Sequence, residues 1–447
     1  MLKPQLIFNN INYRLMKFNM IVDIDNGKLI FNELTRAIIF MTNEEFANVF
    51  DKDRFEFLYR NYFLVPEDFN EIEITDMVRS HFIRDVDDKY LDRANSYNIL
   101  TTTKCNARCF YCYEAHEKKE HMTEETARKV VRYIKEHANK SKPISLRWFG
   151  GEPLFNMKII DIICNGLRDS GYKFSSSFTT NGYLFDTDVI TKAINSWHIT
   201  FAQITIDGTE RVYNKAKNYI YKNKISPYRK VLNNIAMLLN NNISVSVRMN
   251  CDTYNIEDLK NLIIELKSRF GNHKKLHPYV YPIFEDEHYK RTDEERMKVF
   301  QGVAELEQTL IKNGYSVGPN PSNMIAYSQC MADSGGVISI NPGGNLGVCE
   351  HFVNSDFFGH LDSKEKNMDI LRGWKVYEKP IDLCSSCPRY PSCIRPSKCV
   401  EMSKCNKFYQ EWHVRKDKLG LINWYKNLQL QKAENINNSE PIKLEQI

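Results

Sequence analysis

Ten of the chain's twelve cysteines fall into two groups, and their spacing is that of ligands. The first group is the run Cys105-Asn106-Ala107-Arg108-Cys109-Phe110-Tyr111-Cys112, a C-x3-C-x2-C placed directly after a β-like stretch. Three thiolates on one tight loop can hold three irons of a [4Fe–4S] cube and leave the fourth iron open. A tetrahedral zinc ion would ask for a fourth donor, and His116 is the only nearby candidate. The second group runs Cys330-x13-Gly344-x4-Cys349, then after a gap Cys384-x2-Cys387-x5-Cys393-x5-Cys399-x5-Cys405. A zinc ribbon could use Cys384, Cys387, Cys393 and Cys405, but it would leave three cysteines of this group without a task. Cys164 lies in the apolar run IIDIICNGL and Cys251 follows SVSVRMN, so both read as small buried hydrophobes.

Composition says where these thiols work. The start, MLKPQLIFNNINYRLMKF, has neither the apolar stretch nor the small-residue cleavage site of an export signal. A cytoplasmic location is therefore expected, where thiols stay reduced and are free for metal or redox chemistry. No stretch reaches the ~18 apolar residues of a membrane span. The net charge of +5, from 61 basic against 56 acidic residues in 447, is too weak for a nucleic-acid binder. Neither a membrane nor a nucleic acid is expected as a partner.

Length argues for two to four folded units at ~100–200 residues each. Up to residue 95 the chain alternates β-like runs (MIVDI, KLIFN, AIIFM) with helical stretches, with a hairpin turn at Asp25-Asn26-Gly27 and a helix start at Thr42-Asn43-Glu44-Glu45. From Ser96 strand and helix patterns alternate six times, the strands being YNILTT, ISLRWF, SSFTT, TFAQITI, ISVSVRMN and HPYVYPIF. That repeat predicts a parallel sheet with helices outside, either doubly wound or a curved partial barrel, whose chemistry sits at the strand C-terminal ends. After Gly314 the pattern fades and apolar content becomes sparse, so metal is expected to hold the segment together. Residues 408–429 read as a helix despite Gly420, and the chain from Glu434 as a mobile tail.

The C-x3-C-x2-C after the first strand, with Tyr111 before its last cysteine, resembles the loop of the radical S-adenosylmethionine (SAM) superfamily. Gly150-Gly151-Glu152-Pro153 stands where that superfamily has its GGE motif, after the second strand. Thr180-Asn181-Gly182 and Gln203-Ile204-Thr205-Ile206-Asp207-Gly208 are similar to its strand-end patterns, with Thr205 where Ser is usual, and Arg248 matches its strand-five arginine. The resemblance implies that Cys105, Cys109 and Cys112 bind a catalytic [4Fe–4S] cluster. It likewise implies that Tyr111, Gly150, Gly151, Glu152, Asn181, Thr205 and Arg248 contact SAM. Small polar residues at strand ends are also common turn-formers, and a strand-end arginine is also a rim salt bridge. Tyr213 and Lys217 depart from the His and Arg that many relatives carry after the DG.

The second cysteine group resembles the SPASM domain of peptide-modifying radical SAM enzymes, apart from five residues between Cys393 and Cys399 where three are commoner. This resemblance assigns Cys384, Cys387, Cys393 and Cys405 to a distal auxiliary [4Fe–4S] cluster. Cys330, Cys349 and Cys399 remain for a proximal one, and residues 321–329 offer no further cysteine. The open position would take a substrate thiolate, or else water or a side chain such as Asp333.

The implied fold is α/β: a partial (β/α)6 radical SAM barrel over residues 96–315 and a Cys-rich SPASM domain over 316–412. Residues 1–95 would form a small winged-helix-like domain similar to precursor-peptide-recognition modules, and 413–447 a C-terminal helix and tail. The implied cofactors are SAM and three [4Fe–4S] clusters. The implied partners are a precursor peptide with its leader and a reductant such as flavodoxin or ferredoxin. The expected reaction is a thioether crosslink from cysteine in a ribosomally made peptide. Carbon–carbon or carbon–oxygen crosslinking, formylglycine formation in a sulfatase and, from another class, a zinc scaffold are the alternatives. No catalytic acid or base stands out, since Asp207, Asp333 and Glu350 read equally well as structural.

Overall fold

In the computed structural model the residues described are 12–50, 52–82, 91, 94–221, 225–286, 288–322, 330–352, 355–399 and 405–437. The stretch read for an export signal lies outside them up to residue 11, as do residues 323–329 and those after 437.

The chain opens with β1 (Tyr13–Leu15), β2 (Asn19–Ile24), β3 (Gly27–Asn32), β4 (Ile38–Thr42), α1 (Asn43–Ala47), α2 (Lys52–Arg60), β5 (Leu64–Pro66) and α3 (Glu71–Phe82). β2, β3 and β4 form an antiparallel meander, and β1 pairs with β5. The expected hairpin pairs Ile24 with Gly27, where any side chain would run into the Met41 carbonyl. The expected helix start is a capping box, Thr42 and Glu45 each bonding the other's backbone.

The second unit follows as β6 (Ser96–Thr102), α4 (Glu124–His137), β7 (Ile144–Gly150), α5 (Met157–Asp169), β8 (Phe174–Thr180), α6 (Thr187–Asn195) and β9 (Ile199–Thr205). It continues with α7 (Glu210–Lys217), α8 (Pro227–Asn240), β10 (Ser244–Cys251), α9 (Ile256–Phe270), β11 (Leu276–Pro282) and α10 (Asp293–Lys312). Its strands stand in the order β11-β10-β9-β8-β7-β6 and are parallel throughout. Sequence left two architectures open, and this order decides between them. A doubly wound sheet reverses direction at a switch point, whereas successive right-handed crossovers in one direction put every helix on the same face.

Alternation along the strands reflects that one-sided cover. Ile144, Leu146 and Trp148 of β7 are fully buried toward the helices, while Ser145, Arg147 and Phe149 face the concave side. Cys164 and Cys251 are wholly buried in this core, as their apolar surroundings suggested. One crossover differs from the expected single helix: between β9 and β10 the chain forms both α7 and α8.

The cysteine-rich segment holds α11 (Met331–Ser334), β12 (Val337–Ile340), β13 (Asn345–Gly347), β14 (Gly359–His360) and α12 (Met368–Gly373). The expectation that it lacks an apolar core is corrected here. β12 pairs parallel with β6 and continues the barrel sheet, and Ile338, Ile340, Phe358, Leu371 and Trp374 are buried in the same core as the barrel.

The last element, α13, spans Lys407–Asn437, so residues 434–437, read as tail, are helical. Its Trp412 is fully buried and donates to Glu307 of α10 at 3.1 Å, while Leu421 packs against Met20, Val22, Leu29 and Phe31 of the meander. Gly420 interrupts an otherwise ordinary helical sequence because Pro319 crosses there; a Cβ would lie 2.0 Å from its carbonyl oxygen.

Candidate functional site

The three-cysteine loop leaves β6 at the C-terminal edge of the sheet and returns to it, with Thr103 N donating to Glu120 O and Met122 N to Thr101 O, each at 3.0 Å. The glycine turn after β7 lies against its first residues. Gly151 N donates to Thr102 O and Glu152 N to Lys104 O, both at 3.1 Å. A Cβ at Gly150 would stand 2.0 Å from Thr102 O and one at Gly151 2.6 Å from Lys104 O, so both positions need glycine for backbone contact.

Glu152 turns inward. Its buried carboxylate accepts from Thr180 Oγ1 and Asn181 N at 2.9 Å and from Leu154 N at 3.1 Å, tying the glycine turn to the end of β8. Burial pushes this carboxyl up to about 7. Asn181 in turn donates through Nδ2 to Asn106 Oδ1 at 2.6 Å and reaches the Cys105 sulfur at 3.8 Å. Ala107 N also points at that sulfur, at 3.3 Å.

Burial and the Glu152 charge push the Cys105 thiol up to about 12, and burial pushes Cys112 up to about 11. Cys109 is raised by burial too, against the pull of the Lys217 ammonium. Three such sulfurs become thiolates together only around a cationic centre, which supplies the charge that burial denies them. The donor set thus fits an iron–sulfur cluster. His116, the fourth donor a zinc ion would need, stacks on His288 with centroids 4.0 Å apart. Ligands of a polynuclear cluster stand on different irons, farther apart than ligands of one ion.

The loop is fastened from below by α7. The Lys217 ammonium lies 3.1 Å from the Asp207 carboxylate and donates to the Tyr111 hydroxyl at 2.9 Å, while that hydroxyl donates to Asp207. Lys217 O accepts from Arg108 N at 2.8 Å, and Asn106 O from Ile220 N at 2.9 Å. Tyr213 and Tyr219 share a hydroxyl–hydroxyl bond of 2.9 Å, and Tyr219 reaches Asn181 O at 3.3 Å. The two residues that depart from the common pattern, Tyr213 and Lys217, thereby hold the cysteine loop. Sequence reasoning missed this role because α7 itself was not foreseen; the short stretch Glu210–Lys217, with its buried Tyr213 and Ala216, was the available signal.

Thr205, the last residue of β9, is the register partner of Arg248 in β10, both on the concave side. Arg248 Nε donates to Asn250 Oδ1 at 2.8 Å, and its guanidinium lies over the Tyr281 ring at 4.5 Å. Deeper in the barrel a cavity of about 330 Å³ is lined by Asn98, Arg147, Ser177, Gln203, Met331 and Glu350. Met331 and Glu350 directly follow Cys330 and Cys349, so the second cysteine group forms one wall of this cavity.

Cys349 senses Cys330 and Cys399, whereas Cys405 senses Cys393, Cys384 and Cys387. Asp333, the side chain considered for the proximal gap, caps α11 by accepting from Cys330 N at 3.1 Å. The distal set lies against the N-terminal unit: Tyr390 packs on Phe18 and donates to Asp76 at 2.6 Å, and Arg389 pairs with Asp417 of α13.

Residues 99–266 match the family model described as Radical SAM superfamily. The chain is 24% identical over 395 residues to the radical SAM cyclopropyl synthase TigE of Paramaledivibacter caminithermalis, covering 80% of this chain and 75% of that protein. It is 27% identical over 320 residues to a GTP 3′,8-cyclase of Clostridium perfringens, covering 66% of this chain and 93% of that one. Among solved structures, anSMEcpe with bound AdoMet superposes with a TM-score of 0.55 at 15% identity, over 76% of this chain and all (100%) of that chain. Streptococcus suis SuiB bound to S-adenosylmethionine superposes with a TM-score of 0.50 at 16% identity, over 88% and 95% of the two chains. The cysteine loop at the mouth of a one-directional βα sheet therefore lies within a Radical SAM domain, the part of the chain that the family model matches.

Proposed function

We propose that this protein modifies a ribosomally made precursor peptide, forming a thioether between a cysteine and a carbon of another residue. One observation carries the reading: the cavity beneath the first cysteine loop is walled on its far side by the residues that follow Cys330 and Cys349. A peptide in it would stand between two thiol sets, one of them a ligand short.

Cys105, Cys109 and Cys112 would hold the SAM-binding cluster, Cys330, Cys349 and Cys399 a proximal auxiliary cluster, and Cys384, Cys387, Cys393 and Cys405 a distal one. When bound, the first cluster with SAM supplies reductive cleavage to methionine and a 5′-deoxyadenosyl radical. The chain's own contribution is placement and exclusion of water. Lys217, Tyr111 and Asp207 fix the loop, Glu152 and Asn181 brace the strand ends beside it, and the closed helix layer keeps solvent from the sheet. SAM would lie along Gly150, Gly151, Glu152, Asn181, Thr205 and Arg248.

The N-terminal meander suits a leader-binding role, since a peptide strand can add to a sheet edge. β4 is an edge strand and Phe40 on it is 37% exposed. Similarity to SuiB, solved bound to precursor peptide SuiA, is consistent with such a substrate. A flavodoxin or ferredoxin would supply electrons. No helix among the described residues is long and apolar enough to cross a membrane.

A second reading, carbon–carbon bond formation, is favoured by the similarity to a cyclopropyl synthase over 80% of the chain. Both readings require three clusters. Anaerobically purified protein should contain roughly a dozen irons per chain and release 5′-deoxyadenosine from SAM when reduced, and Cys109→Ala should abolish that release. Colourless zinc-containing protein, or undiminished SAM cleavage by the variant, would refute the assignment.

A further inference from the structure

Arg147 is a charged feature of the cavity that the proposed chemistry leaves unused. It sits mid-strand in β7, between register partners Asn98 of β6 and Ser177 of β8, all three lining the same cavity. Its neighbours Leu146 and Trp148 are fully buried, yet Arg147 is exposed into the lumen. Among the described residues it makes no hydrogen bond or ion pair. The acidic group of the cavity, Glu350, feels the Arg147 charge without a direct contact and is bonded by Asn98 Nδ2 at 3.3 Å.

A guanidinium that makes no direct hydrogen bond or ion pair, and feels only the through-space pull of Glu350 across the cavity, is open to an anion, and its planar fork favours a carboxylate. The anion is not expected to be the SAM carboxylate. Arg147 precedes the Gly150 turn by three residues, so it lies roughly 10 Å down the strand from the sheet edge. The sheet register runs from Arg147 through Ser177 and Phe201 to Ser244, so Arg248 stands four residues nearer that edge.

Resting on the peptide-modifying reading, we infer that Arg147 selects a substrate bearing a carboxylate beside the reacting residue, on an Asp or Glu side chain. Asn98 and Ser177 flank the guanidinium and offer hydrogen bonds to the same group. The cavity's about 330 Å³ admits one or two side chains and not a folded domain.

Binding of small probes to the full-length, anaerobically purified protein tests this without turnover. The probes are N-acetyl-glutamyl amide (side-chain carboxylate only), N-acetyl-glutamine (terminal carboxylate only) and N-acetyl-glutaminyl amide (neither), followed by saturation-transfer NMR. Wild-type protein should prefer the first by about tenfold or more, the factor expected for a charged hydrogen bond. Arg147→Gln should erase the preference, Arg147→Lys should keep part of it, and Arg147→Glu should transfer it to N-acetyl-lysyl amide. SAM affinity should stay at the wild-type value in all three.

No discrimination by wild-type protein, or discrimination that survives Arg147→Gln, would overturn the inference. Preference for the terminal carboxylate would overturn the side-chain assignment, and loss of SAM affinity in step with the probe would make Arg147 a cofactor contact. Circular dichroism of each variant separates these results from misfolding. The peptide reading is tested separately by product mass, so either can fail without the other.

Discussion

Lys217 Nζ lies 3.1 Å from Asp207 Oδ2, and the two side chains are 4% and 0% exposed. The pair joins α7 to the end of β9 directly beneath the cysteine loop, and Tyr111 binds both partners. Burial works against the ammonium, yet the adjacent Asp207 keeps its pKa well above the ordinary lysine value.

Breaking a buried pair by removing one partner leaves an uncompensated charge, at a cost of about 3–5 kcal/mol. Lys217→Met should therefore lower stability by that order and weaken iron retention, because Tyr111 and Arg108 lose their anchors. Asp207→Asn combined with Lys217→Met should recover part of the stability. Urea unfolding of Lys217→Met, Asp207→Asn and the double variant checks this; additive losses would show that the pair is not coupled.

Gly151→Ala should displace the cysteine loop, since the added Cβ meets a backbone oxygen at 2.6 Å that has no rotamer to escape through. Iron bound by the first loop should fall while the auxiliary sets stay loaded. Electron paramagnetic resonance with and without SAM distinguishes the centres, and an unchanged SAM-dependent spectrum would contradict the packing argument.

Much of this arrangement was legible in the sequence, for reasons particular residues show. Ile144, Leu146 and Trp148 alternate with Ser145, Arg147 and Phe149, so strand β7 and its buried face were readable directly. Strand order was not legible, because local periodicity is the same in a doubly wound sheet and a partial barrel. Lys217 was not legible as an anchor, because its partners lie 10 and 106 residues away in sequence, at Asp207 and Tyr111. The cysteine-rich segment looked coreless because its few apolar residues, such as Ile338 and Trp374, are buried against the barrel rather than against one another.

Gly420→Ala offers a test of sign. In an exposed helix the change stabilises by about 1 kcal/mol, but here the methyl would stand 2.0 Å from Pro319 O. Thermal unfolding should show a lower midpoint and a loosened α13; a raised midpoint would contradict the close crossing.

His413 is half-buried, and its partial desolvation, together with the nearby Arg389 and Lys416 charges, holds its pKa down to about 3. The unfolded chain takes up this proton near pH 6.5 and the folded chain does not, so stability falls as pH drops below that value. The slope is about 1.4 kcal/mol per pH unit until the folded value is reached. His413→Gln should remove this dependence, and unfolding at pH 7 and 5.5 should show a smaller acid loss for the variant. Equal losses would place His413 in contact with solvent.

The central claim is tested most directly by the mass of a cysteine-containing precursor peptide, encoded beside this gene and co-expressed with it anaerobically, before and after thiol alkylation. A loss of two hydrogens together with one fewer alkylatable cysteine is the expected result. The same loss with every thiol still reactive would contradict thioether formation and leave carbon–carbon or carbon–oxygen crosslinking, and an unchanged mass would contradict modification of that peptide altogether.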